Sequence, residues 1–215
     1  MNTIAAISTA PGNAGIGIVR LSGERSIDIV NKIFKPVTKG EIKGNIIKYG
    51  NIVDSKNEII DEVLVSFFIA PKSYTGENMC EINSHGNNIV LKRILDICIE
   101  NGAELAEPGE FTKRAFLNGR IDLLQAEAVI DVINSKSELE RKAAIKGLEG
   151  DLSKQLKQIK AEILDILTDV EASIDYPEYD IEEKSSIQIS KEAIKIAQEL
   201  ENLENTFEKG KILRD

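Results

Sequence analysis

The apolar residues of this chain change their period once, near residues 118–121, and that change calls for two kinds of structure. Upstream, short apolar runs such as IAAI at 4–7 and VLVSFFIA at 63–70 lie between clusters of glycine, asparagine and proline. Runs of that length and bounding read as strands. Downstream, apolar residues recur at steps of three and four. From Ile145 through Leu152, Ile159 and Ile166 to Ile174 the steps alternate as in a coiled-coil-like bundle seam. The expected fold class is an α+β N-terminal domain (a mixed sheet with helices) over 1–118, followed by an all-α partial helical bundle over 119–215.

Local signals place the elements of the first part. Residues 3–7 and 15–21 read as strands around the glycine-rich turn APGNAGIG. ERSIDIVNKIF at 24–34 reads as an amphipathic helix with Ile27, Val30 and Phe34 inward, and a Lys/Gly-rich connection runs from Pro36 to Gly44. Residues 46–54 and 59–70 form an expected hairpin around DSKNE. MCEIN at 79–83 is a short strand with Met79, Glu81 and Asn83 on one face. Ser84 or Asn87 caps a helix over 88–100, with Ile89, Ile94, Leu95 and Cys98 inward, and His85 bonds to that turn. Pro108 opens the next helix at its first position, Glu110 lies in its first turn, and Asn118-Gly119 ends it.

In the second part, Asp122 with Gln125 and Ser137 with Glu140 are capping boxes, the latter opening one long helix that Pro177 and the acidic run DYPEYDIEE break. Ser185 with Gln188 opens a last helix, with Ile194, Ala197, Leu200, Leu203 and Phe207 inward and Gly210 as its stop. The closing KGKILRD leaves Ile212 and Leu213 uncovered and reads as cut rather than finished.

Composition removes several classes of function. No apolar run approaches the ~20 residues of a membrane span, and MNTIAAIST lacks the basic region of a signal peptide. Cys80 and Cys98 have no metal or redox spacing, so reduced, buried thiols in a cytoplasm are expected. One histidine cannot build a histidine-rich metal site. A net charge of −9 argues against gripping nucleic acid by charge alone, and 5% aromatic residues without Trp against a base-stacking platform. Lys and Arg cluster mildly at Lys92-Arg93, Lys113-Arg114 and Arg141-Lys142. No G-x-x-x-x-G-K-S/T, no G-x-S-x-G elbow and no acid/base carboxylate pair stands out, so no catalytic residue is assigned and these 215 residues are not expected to hydrolyse a nucleoside triphosphate.

Three charged side chains remain where packing does not account for them. Arg20 interrupts the apolar run from Ile16 to Leu21 and is either half of an internal salt bridge or a ligand contact. Glu81 lies opposite Cys80 and Ile82, as a plain surface carboxylate or, if that face lines a cleft, as a bidentate acceptor. Arg120 sits in the short joint between two helices, either capping a helix or pairing at the surface, or else free for a ligand. Two arginines and a carboxylate suit a ligand with anionic ends and a guanidine-like edge, as a pterin and its glutamate tail provide.

Four stretches carry a resemblance: TIAAISTAPGNAGIGIVRLSG at 3–23, SYTGENMCEINSHG at 73–86, PGEFTKRAFLNGRIDLLQAEAV at 108–129 and IDYPEYDIEE at 174–183. In order and spacing they resemble the MnmE (TrmE) family of bacterial tRNA modification GTPases, from about residue 2 to the last residue. The resemblance implies that 1–118 is a tetrahydrofolate-binding and dimerisation domain, similar in fold to folate-dependent aminomethyltransferases. It implies that 119–215 is the first part of a helical domain, cut where a GTPase domain begins; GTP, Mg and K would belong to that absent domain. The family's folate contacts fall on Arg20, Glu81 and Arg120, the last being lysine in many members. The implied ligand is a 5-formyl- or 5,10-methylene-tetrahydrofolate. The implied partners are a second copy through the N-terminal domain, an MnmG-type FAD-dependent protein, and tRNA as substrate. Together they would install an aminomethyl or carboxymethylaminomethyl group on carbon 5 of the wobble uridine. The competing reading is a ligand-free dimerisation and scaffold module.

Overall fold

The computed structural model describes residues 2–38, 40, 42–175 and 186–212, with side chains 173, 175 and 206–212 left out. The chain divides into two compact units, Met1–Ala126 and Glu127–Asp215. The first unit holds β1 (Ile4–Ile7), β2 (Ala14–Ser22), α1 (Ser26–Ile33), β3 (Phe34–Pro36), β4 (Ile46–Val53), β5 (Ile59–Phe68), β6 (Met79–Gly86), α2 (Asn88–Glu100), β7 (Glu104–Leu105) and α3 (Glu110–Leu117). Then come α4 (Leu123–Asn134), α5 (Glu138–Leu148), α6 (Asp151–Asp175) and α7 (Ser186–Ile212). The α+β part followed by helices agrees with the class expected from the sequence.

The seven strands form one sheet in the order β3-β4-β5-β6-β2-β1-β7. All neighbours are antiparallel except β1 and β7, so the sheet is mixed. One face closes into the core. Val19, Leu21, Val65, Phe67, Cys80 and Ile82 point there and pack against Ile29, Val30 and Ile33 of α1 and Leu91, Ile94, Ile97 and Cys98 of α2. Strand alternation then puts every second residue on the other face. The register makes one cross-strand row of Arg20, Glu81, Ser66 and Ile47 there, and a second of Ile18, Asn83, Leu64 and Tyr49. The first row runs from charged at β2 and β6 to apolar at β4, and the second is apolar except for Asn83 and the Tyr49 hydroxyl.

Local chemistry builds these elements much as expected. Asn87 caps α2, its Oδ1 accepting from the N–H groups of Ile89 at 2.9 Å and Val90 at 3.4 Å. The hairpin forms, with Asp54 Oδ1 accepting from Lys56 and Glu58 across its turn. Several expectations need correction. Phe34 does not close α1; it opens β3, an edge strand that passes so near β4 that a Cβ on Gly50 would sit 2.2 Å from the Lys35 carbonyl oxygen. Val30 is wholly buried as expected, but Ile29 at 0% and Ile33 at 3% exposure join it in the core while Ile27 is only partly buried. Ile89 is 80% exposed, and Leu91 and Ile97 take the inward positions of α2. β6 runs to Gly86, so His85 lies on a strand. Pro108 falls outside α3, whose cap is Gly109 in the left-handed region at φ 76°.

In the second unit the single long helix expected from Ser137 is two. α5 stops at Leu148, Gly150 takes φ 74°, and α6 starts at Asp151. α5 and α4 approach closely: a Cβ on Gly147 would stand 2.9 Å from that of Ala128. The inward residue of α7 is Ile196 at 5% exposure, whereas Ile194 is 56% exposed. Gly210 does not end α7, which continues to Ile212. The expectations for Pro177, the acidic run, Ser185, the Phe207 side chain and the Ile212–Leu213 end lie outside the described residues.

Candidate functional site

The site begins as a pair of opposite charges placed by strand register. Arg20 of β2 and Glu81 of β6 are direct cross-strand partners on the face away from the core. Arg20 donates through Nε at 2.8 Å and Nη2 at 2.7 Å, both to Glu81 Oε1. Their side chains retain 27% and 19% exposure, so the pair is half-buried and open to a ligand. The salt-bridge reading of Arg20 is therefore realised, and its partner is the second residue of the expected constellation.

Aromatic rings draw in the third. The Arg20 guanidinium carbon lies 5.6 Å from the centre of the Tyr74 ring and 5.5 Å from that of Phe111. Arg120, in the turn after α3, lies 5.0 Å from the same Tyr74 ring. All three distances are within cation–π range. Arg120 reaches this place because Asn118 and Gly119 end α3, Gly119 at φ 70°, and the Arg120 N–H bonds back to the Ala115 carbonyl at 2.9 Å. The reciprocal Asp122–Gln125 box, 3.0 Å in both directions, starts α4 immediately afterwards. Arg20 and Arg120 thus meet at one ring, and Glu81 joins them through Arg20. Among the described residues Arg120 pairs with no carboxylate.

The loop that carries Tyr74 is held by residues that sequence reasoning passed over. Arg114, grouped with Lys113 as a surface cluster, is only 5% exposed. It donates to Glu110 at 2.9 Å, to Glu77 at 3.2 Å and to the Asn2 carbonyl at 2.7 Å. Glu77 also accepts from Ser22 Oγ at 2.7 Å, Ser22 meets the wholly buried Thr75 hydroxyl at 2.7 Å, and Asn118 donates to the Thr75 carbonyl at 2.7 Å. Tyr74 itself shares a hydrogen bond with Thr112 Oγ1 at 2.8 Å. The one advance signal was the run Tyr-Thr-Gly-Glu within the stretch 73–86 that carries the family resemblance. Partial burial opposes ionisation of Glu110, but the Glu107 N–H and the Arg114 guanidinium outweigh it and hold its carboxyl below the usual value.

Other titratable groups lie elsewhere. The His85 carbonyl accepts from the Asn87 N–H at 2.8 Å in the turn before α2, but the His85 ring turns away to Asp61. Its Nδ1 and backbone N–H reach the two Asp61 oxygens, each at 2.7 Å, and that hydrogen bond, with the Asp61 charge, raises the His85 pKa. Cys80 and Cys98 are buried and free, and burial pushes both thiols up, Cys98 to about 12. Neither is a nucleophile at neutral pH. No cluster suited to a metal ion occurs among the described residues, and no helix there is long and apolar enough to cross a membrane.

Comparison with known proteins gives a consistent result. Residues 3–120 match the family described as GTP-binding protein TrmE N-terminus, and residues 123–215 match the MnmE helical domain. Similar curated proteins include the tRNA modification GTPase MnmE of Acetivibrio thermocellus, 49% identical over 216 residues, covering 100% of this chain and 47% of that protein. The protein of that name from Clostridioides difficile is 48% identical over 217 residues, with 100% and 47% covered. That from Lacticaseibacillus paracasei is 46% identical over 215 residues, with 100% and 46% covered. The chain spans about half the length of the curated relatives it matches.

Proposed function

The chain belongs to the MnmE (TrmE) family of tRNA modification GTPases, and on that premise we propose that its first unit binds a tetrahydrofolate one-carbon derivative at Arg20, Glu81 and Arg120. The observation that carries the proposal is that Arg20 and Arg120 lie on the Tyr74 ring while Glu81 pairs with Arg20. When bound, the folate supplies the one-carbon unit. The chain's part is to hold it. A pterin presents parallel N–H donors that a carboxylate accepts in a fork. Both Arg20 contacts fall on Oε1 of Glu81, so such a ligand either shares that oxygen or moves Arg20 aside while the rings keep its charge close. Arg120, charged and resting on an aromatic face, is the complement to the ligand's carboxylates.

Calorimetry with 5-formyltetrahydrofolate tests this. The expected result is saturable binding, weakened at least about tenfold by Glu81→Ala, as removal of one member of a partly desolvated polar pair does. No binding by a folded chain, or equal binding by Glu81→Ala, would reject the proposal.

The wider role rests on the same family. With a GTPase domain using GTP, Mg and K, and with an MnmG-type FAD-dependent partner, the whole protein would modify carbon 5 of the tRNA wobble uridine in the cytoplasm. Homodimerisation through the first unit is supported by exposed apolar residues on the site's own sheet face: Ile47 at 66%, Leu64 at 49% and Tyr49 at 48%. The same patch is what favours the second reading, a scaffold that dimerises without ligand. Sedimentation with and without the folate separates them. A dimer indifferent to folate supports the scaffold, and a dimer tightened by folate supports the first reading.

A further inference from the structure

Tyr74 stands at the centre of the site, yet neither its charge nor its loop position assigns it a role. The two guanidinium carbons lie 5.6 and 5.0 Å from its ring centre, so they are held within about 11 Å of each other whatever their directions. Two cations kept that near repel. Glu81 neutralises the first, and among the described residues no carboxylate neutralises the second. What holds Arg120 is the face of the ring.

The ring is itself fixed at both ends. Its hydroxyl meets Thr112 Oγ1 at 2.8 Å, one residue beyond Phe111, whose ring also faces Arg20. At its root, Thr75 is wholly buried and bonded to Ser22. A phenol with that much support keeps one orientation, and the arginines on it keep one spacing.

We propose that Tyr74, locked by Thr112, is a positioning residue that presents Arg120 to the carboxylates of the folate's glutamate tail, and so makes the site select tailed folates over bare pterins. The inference rests on the folate reading of the site. Tyr74 acts through Arg120 and need not touch the pterin, whose edge is held at Glu81. Its loss should therefore be felt by a ligand that has the tail and not by one that lacks it.

The test measures binding of two probes to the full 215-residue chain: 5-formyltetrahydrofolate, and 6-methyltetrahydropterin, which has the ring system without the benzoylglutamate. Tyr74→Leu removes the ring, and about tenfold weaker binding of the folate is expected, with the pterin unchanged. Tyr74→Phe and Thr112→Val each keep the ring and remove the lock, for a loss of about threefold to the folate alone. The double variant should be no worse than either single one, because both remove the same bond. Equal weakening of both probes overturns the positioning role in favour of general damage to the site. Folate binding unchanged in all variants overturns it as well. If Tyr74→Leu does not fold, the two lock variants and their double still decide the matter. Failure of the unsubstituted chain to bind the folate rejects the folate reading first, and this inference with it.

Discussion

Ile82 in β6 and Ile163 in α6 are the same side chain in opposite circumstances. The first is fully enclosed, and the second keeps 46% of its surface exposed. The contrast extends to the units around them. The first closes one sheet face on α1 and α2 into a continuous core. In the second, Ala128, Ala144, Ile159 and Ile196 are the buried apolar residues described, while Leu164, Leu167 and Ile174 are 48–70% exposed. Charge divides as unevenly. Met1–Ala126 carries 14 Lys and Arg against 15 Asp and Glu, and Glu127–Asp215 carries 13 against 21, so almost all of the net −9 sits in the second unit. A ligand with carboxylates is repelled by one unit and not by the other. An enclosed core gives a site fixed side chains, and near-neutral charge lets an anion approach; only the first unit has both.

The largest expected effect is at Arg114. Arg114→Met leaves the half-buried Glu77 and Glu110 without the buried cation they share, and breaking such a cluster costs up to roughly 3–5 kcal/mol. Chemical denaturation of the whole chain should lose the sheet first; a midpoint equal to that of the unsubstituted protein would break the contrast between the units. The same cluster predicts acid sensitivity. The Glu110 pKa is depressed in the fold, so its contribution is present above the unfolded value and lost as pH falls through the folded one.

Next is the isoleucine pair. Ile82→Ala should cost about 2–5 kcal/mol, and Ile163→Ala under about 1. Hydrogen exchange reads β6 and α6 separately; equal loss of protection in the two would mean that α6 is more enclosed than its exposure indicates. Helix caps should not distinguish the units: Asn87→Ala at α2 and Ser137→Ala at α5 each remove a side chain that accepts from the first turn, for about 1 kcal/mol. The smallest effect is at His85. Its proton titration should be centred above the ordinary 6.5, and Asp61→Asn should return it there. Because the folded pKa is raised, this pair favours the fold below the unfolded pKa and ceases to do so as pH rises through the folded one.

These residues also show where sequence reading succeeds. Asn87, the Asp54 turn and the Asp122–Gln125 box were legible because each bonds within four residues of itself. Phe34 was misread because its strand partner Ile52 is distant in sequence, and nothing local separates the last turn of a helix from the first residue of an edge strand. Gly150 was present in plain view, but the three–four spacing continues across it and hid the break. Arg114 was missed for a physical reason. A buried arginine is recognised by its partners, and Glu77 is 37 residues away. Arg20, Glu81 and Arg120 could be named from mismatch between charge and face, but the ring that joins them could not, since cation–π pairing has no sequence period.

The most direct test of the folate site is a structure of this chain solved with 5-formyltetrahydrofolate. The expected result is a pterin edge on the Glu81 carboxylate, and the tail carboxylates on Arg120 where the Tyr74 ring holds it. A folate bound elsewhere, with the Arg20–Glu81 pair and the Tyr74 ring untouched, would contradict it.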